Sequence, residues 1–152
     1  MAGPTSTRLE VWTNIVGSLT DISTVDHWFN PTVSTDHPDP DASLDAPVLV
    51  VSFGGESHEE VTVGGRYSSV LTINIDGYVN KDADYIGNCC KLLQDVRRAI
   101  TGSAKLIARA TDGVWQVVLG DTDQETGWLD VDGGLVRFTQ PVEVHYRTRS
   151  AW

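Results

Sequence analysis

Acids dominate the residues that could do chemistry in this chain. The fullest constellation runs from Asp121 to Asp132 as Asp-Thr-Asp-Gln-Glu-Thr-Gly-Trp-Leu-Asp-Val-Asp. Asp121, Asp123 and Glu125 fall at positions 1, 3 and 5 of a calcium-loop spacing. Such a loop also needs a glycine at its sixth position for a sharp turn and a bidentate glutamate at its twelfth, and here those places hold Thr126 and Asp132. A β-patterned run rather than a helix precedes it, so the stretch reads as an acidic hairpin tip without calcium-dependent stability. His27, His37, His58 and His145 stand at no metal-ligand spacing to one another or to Cys89 and Cys90. Asp36 and His37 could pair locally, but nothing in the surrounding proline-rich segment orients them. Gly54-Gly55-Glu56-Ser57 lacks the patterns of a nucleophile elbow and of a phosphate loop, and reads as a tight turn or bulge. With 21 Asp and Glu in 152 residues, pairs of acids occur everywhere and carry no weight as catalytic dyads. No catalytic constellation emerges, and the expectation is a protein that is not an enzyme and binds no metal or cofactor.

The elements that position these residues follow from periodicity. Thr7 and Glu10 stand as a capping box at the start of a first helix, with Trp12, Ile15, Val16 and Leu19 as its apolar face and an end near Thr20 or Asp21. Residues 25–29 form a short strand or turn whose Trp28 and Phe29 are expected to pack on the core. Residues 30–46 carry Pro31, Pro38 and Pro40 among Asp36, Asp39, Asp41 and Asp45. This reads as a long acidic loop, too poor in apolar residues to order itself in an isolated subunit.

Residues 48–53 are a nearly continuous apolar run, as in a strand buried on both faces, and residues 59–63 read as an edge strand or hairpin arm. From Tyr67 to Val79 apolar and polar residues alternate, giving a half-buried antiparallel strand. Tyr85, Ile86, Cys89, Leu92, Leu93, Val96 and Ile100 make the apolar stripe of a second helix. Asn80 is its expected cap, Asp82 and Asp84 its first-turn acids and Gly102 its terminating glycine. Strands follow near 105–110 and 114–119 around a turn at 111–113, and a last one spans 135–149. Pro141 interrupts that last strand, which is therefore expected to be bent or to lie at an edge. The order gives an α+β class: one domain over residues 1–152, a mostly antiparallel sheet with two main helices packed on it.

The totals narrow the function classes. Hydrophobic residues make up 40% of the chain, enough for a packed interior and too many for a disordered tail. The formal net charge of −10 opposes binding to phosphate backbones or anionic membranes, while it suits a wall that DNA slides past. No apolar run reaches the length of a membrane helix, and the N-terminal residues do not read as a signal peptide. Adjacent helical cysteines point about 100° apart, so Cys89 and Cys90 are expected to be free thiols, in keeping with a reducing cytoplasm. Trp128 within the polar hairpin segment and Trp152 at the last position are out of place for core residues. They are candidate interface anchors, together with Asp36, Asp39, Asp41, Asp121, Asp123 and Glu125.

Three stretches resemble the tail-terminator family of long-tailed bacteriophages, the minor tail protein U type. Residues 47–53 are similar to its first core strand after a variable loop. Residues 66–79 and 85–100 are similar to its central strand and amphipathic helix, and residues 140–148 to a closing strand that ends in Tyr146-Arg147. The resemblance implies a virion protein assembled in the host cytoplasm as a ring, usually of six copies. Such a ring caps the tail tube, stops its polymerisation and meets the head-side connector, and DNA passes through it without specific binding. It carries no active site with it. Alternatives are another head–tail joining or tube-associated protein, a monomeric ligand-binding α+β domain with residues 30–46 as a lid, and a small hydrolase.

Overall fold

A computed structural model describes residues 7–62, 66–102, 114–120 and 129–148. Its elements are α1 (Thr7–Thr20), β1 (Thr32–Ser34), β2 (Val48–Thr62), β3 (Arg66–Asn80), α2 (Tyr85–Thr101), β4 (Val114–Leu119), β5 (Asp130–Asp132) and β6 (Leu135–Thr148). They form a single α+β unit with a mostly antiparallel sheet in the order β1-β2-β3-β6-β4. β6 pairs with β3 along its whole length, Tyr67↔Thr148 to Asn80↔Leu135. On its other side it takes β5 over Leu135–Arg137 and β4 over Val142–Tyr146.

Strand alternation sorts the side chains. Leu49 and Val51 of β2, Leu71, Ile73 and Ile75 of β3, and Val142, Val144 and Tyr146 of β6 share one face and are buried there against Val11, Ile15 and Leu19 of α1 and Cys89, Leu92, Val96 and Ile100 of α2. α1 thus buries Val11 more deeply than Trp12, whose ring lies at the margin. Gly77 is required where it stands, because a Cβ there would lie 2.3 Å from the Phe138 ring. Among the described residues, only one end of the opposite face is covered. There Val50, Tyr78 and Leu135 pack with Leu44 and Val48 beneath the connection from β1 to β2.

Several expectations are corrected. The 30–46 segment is not all loop: Thr32–Ser34 is a strand parallel to Val48–Val50, and the following residues make the crossover that parallel pairing demands. The arms expected at 48–53 and 59–63 are one strand. Its register slips between Phe53 and Gly55, so Gly54 is the extra residue of a bulge. Phe53 is 56% exposed rather than buried on both faces. Trp28, expected on the core, is 46% exposed, while Phe29 does pack against the core. Asp84, not Asn80, is the N-cap residue of α2. Gly102 ends that helix in the ordinary right-handed region and donates its N–H to Arg98.

Pro141 does not put β6 at an edge. Its carbonyl accepts the Gly120 N–H at 2.9 Å, so its N and O both point to the β4 side. The missing donor falls just past the end of β4, beyond the Leu119↔Val142 pair, and the β3 ladder is untouched. The strand expected at 105–110 and its turn at 111–113 lie outside the described residues.

Candidate functional site

The densest polar cluster lies under the first turn of α1. Past the Gly54 bulge, Glu56 and His58 return to the helix-bearing face, opposite Leu71 and Ser69 of β3. Ser69 in turn pairs with Tyr146. Arg8 donates from Nε to Glu56 Oε2, Tyr146 donates its hydroxyl to Glu56 Oε1 at 2.8 Å, and His58 Nε2 lies 2.7 Å from the same oxygen. The other ring nitrogen, His58 Nδ1, lies 2.7 Å from Ser69 Oγ. Burial first, and the Glu56 carboxylate second, push the Tyr146 phenol up to about 12. The same carboxylate raises Arg8.

Glu56, His58 and Ser69 therefore stand in the order of a hydrolytic triad, but their surroundings are those of a lock. Ser69 has no solvent exposure. Its backbone sits in a strand paired on both sides, which leaves no N–H pair turned toward a developing oxyanion. Glu56 is shared with Arg8 and Tyr146, so its evident work is to fasten α1 to the far end of the sheet.

A second set of contacts fastens the acidic loop. Asn80 donates to the Leu44 carbonyl at 2.8 Å and accepts the Leu44 N–H at 2.9 Å. Gly134 donates its N–H to Pro40, also at 2.8 Å. His37 Nδ1 lies 2.6 Å from the Tyr78 hydroxyl. Asp39 and Asp41 are tied to each other by a local turn, with the Asp41 N–H on Asp39 Oδ1 at 3.0 Å, and the Asp36 N–H bonds to Ser34 Oγ. The expectation that this segment cannot order itself in an isolated subunit is not what the contacts favour, because they pack it on its own domain. Backbone bonds and prolines hold it where apolar bulk is lacking. Asp36, Asp39 and Asp41 are all exposed on it, and its His37, Pro38 and Pro40 line a cleft of about 460 Å³ together with Tyr78, Val131, Leu135 and Arg137.

The sequence reading missed a third feature. Asp95, fully buried on α2, accepts the backbone N–H groups of Trp28 at 3.2 Å and Phe29 at 3.0 Å. Two backbone donors compensate a buried carboxylate, and the segment after α1 is thereby fixed with Trp28 outward. A signal existed: Asp95 lies between Leu92 and Val96, on the flank of the apolar stripe. Glu56 and His58 were legible too, because an i, i+2 pair shares a strand face once residues 54–60 are read as strand. Beyond Val50, no strand among the described residues pairs with the outer edge of β2.

Of the candidate contact residues, only Asp36, Asp39 and Asp41 can be placed, and they sit together. Trp128, Trp152, Asp121, Asp123 and Glu125 lie outside the described residues. Cys89 is buried, which pushes its thiol up to about 12, and Cys90 is exposed; both are free. Among the described residues no group of histidines, cysteines and acids could hold a metal ion. Among the described residues no helix is long and apolar enough to cross a membrane. No protein-family model matches the chain, and no curated protein matches its sequence.

Proposed function

We propose that this protein is a structural subunit of a long-tailed phage virion: a tail terminator whose ring caps the tail tube, stops its growth and joins it to the head-side connector. One observation carries the reading furthest. The stretches with the resemblance, residues 47–53, 66–79, 85–100 and 140–148, fold as adjoining parts of one unit, with β2, β3 and β6 side by side and α2 packed across them.

Two physical features are in keeping with it. The edge of β2 over residues 51–62, unpaired among the described residues, is material for contact between copies. Six copies at −10 each, or −60, would discourage passing DNA from adhering to the channel. The cleft beneath Pro38 and Pro40 favours a second reading, a monomeric ligand-binding domain with the loop as its lid.

Electron microscopy of the purified protein, alone and added to tail tubes, tests both. The expected result is a ring with a central hole, seated at one end of the tube and several times the 16.6 kDa subunit mass. Rings distributed along the tube would indicate a tube-associated protein instead. A strict monomer both alone and on tubes would overturn the proposal.

A further inference from the structure

We propose that the polar cluster beneath the first turn of α1 is a proton-sensitive clasp, which tightens in acid when His58 carries both of its ring protons.

Four side chains close a ring there. The Tyr146 hydroxyl meets Glu56 Oε1 at 2.8 Å, and His58 Nε2 meets the same oxygen at 2.7 Å. His58 Nδ1 meets Ser69 Oγ at 2.7 Å. Ser69 stands opposite Tyr146 across β3 and β6 and hydrogen-bonds to its hydroxyl. These four contacts need one proton each. The carboxylate supplies none, the two hydroxyls one each and a neutral imidazole one, so one contact is left empty.

Which contact is empty follows from the atoms. Glu56 Oε1 can only accept, so His58 Nε2 is the nitrogen that bears hydrogen, and in the neutral ring Nδ1 takes the Ser69 proton. Tyr146 gives its own proton to Glu56. The Ser69 and Tyr146 oxygens then face each other with no proton between them, and both residues are fully buried, where a forfeited hydrogen bond is costly. A second proton on His58 closes the gap. Nδ1–H donates to Ser69 Oγ, and the Ser69 hydroxyl is freed to donate to Tyr146.

The charged and titratable groups facing His58 are Glu56 from β2, Arg8 from α1 and Tyr146 from β6. Glu60 and Tyr67 make the next pair along β2 and β3. Arg8 opposes a second cation, but it sits on Glu56 Oε2 while His58 sits on Oε1, so the carboxylate stands between them. The His58 side chain is 29% exposed, which gives the proton a way in from solvent. A proton that the folded chain binds more tightly than the unfolded chain adds stability as the pH falls and withdraws it as the pH rises. Because the ring joins β2, β3 and β6, and Glu56 also holds Arg8, the added stability falls on the attachment of α1.

The test unfolds the full-length protein in urea at about pH 5.5 and about pH 8, conditions that bracket the ionisation of imidazole side chains. His58→Gln mimics the neutral ring, with an amide donor for Glu56 and an acceptor for Ser69. Effects of acid on the rest of the chain cancel in this comparison. The unfolding constant of the wild type relative to His58→Gln should fall at least about threefold from the alkaline to the acid condition. Ser69→Ala opens the ring while leaving His58 on Glu56, and should lose most of that gain. Hydrogen exchange of the wild type, corrected for the intrinsic effect of pH, should place the added protection in residues 7–20 rather than in α2. Circular dichroism verifies that both variants are folded. A ratio that stays constant or rises in acid overturns the proposal. So does a full gain in Ser69→Ala, because attraction between His58 and Glu56 would then suffice without the ring.

Discussion

The two faces of the sheet are held in different ways. Under the helices lies a continuous apolar layer from α1 to β6, closed at one end by the Arg8–Glu56–Tyr146 lock. On the opposite face, Val50, Tyr78 and Leu135 are the only buried apolar side chains in the small cluster under the crossover, and the covering segment is held mainly by hydrogen bonds to backbone groups. The contrast teaches that a chain segment with four aspartates and three prolines can be kept in place without a core of its own. Satisfying its backbone at a few points replaces the burial it lacks. It also indicates where the molecule should yield first, since segments with few buried apolar contacts open at lower free energy than the core.

Three measurements would break or sharpen that comparison. The largest effect is expected on the helix-bearing face. Phe138→Ala removes a fully buried ring that fills the space over Gly77, and should cost about 3–5 kcal/mol in chemical denaturation. A cost near 1 kcal/mol would mean that this layer collapses around the gap and is no better packed than the loop side.

The lock should come next. Glu56→Ala leaves the buried Tyr146 hydroxyl without its acceptor and Arg8 without its carboxylate, at about 2–3 kcal/mol. It should also alter the alkaline limb. Tyr146 is raised from 10 to about 12, and a group whose folded value exceeds its unfolded one contributes stability that is complete below the unfolded value. That contribution is therefore lost as the pH rises from 10 through about 12. Without Glu56 the phenol should ionise at lower pH, so phenolate absorbance of the folded variant should rise earlier. An unchanged titration would assign the whole shift to burial.

The smallest effect is expected at the loop. Asn80→Ala removes both side-chain bonds to Leu44 and should cost about 1–2 kcal/mol. Hydrogen exchange should speed up across residues 32–45 while α2 and β6 keep their protection. Uniform acceleration over the whole chain would show that the loop and core open as one unit, and the contrast between the faces would fail.

The sequence by itself determined the elements whose signal is local. α2 is the strongest case, because a stripe repeating every three or four residues has one way to be buried; β3 declares itself by alternation, and α1 by its apolar spacing and its ending. The bulk of β6 was legible too, but not its place in the sheet. Pro141 removes one donor wherever it stands. Whether that excludes a central position depends on which neighbour the donor would have faced, and only the paired strands decide it. The Asn80 side chain suits a helix cap by local chemistry, yet the crossover brings Leu44 within its reach and Asp84 is left as the N-cap. Periodicity places Asp95 only on a flank of the α2 stripe, and the turn after α1 supplies the two N–H groups that it accepts. Glu56 read as part of a glycine turn until the bulge at Gly54 returned it to the face shared with Tyr146 and Arg8. In each case the residue type fixed what bonds were possible. Which partner arrived was set by segments from 21 to 90 positions away in the chain, through contacts that no local period encodes.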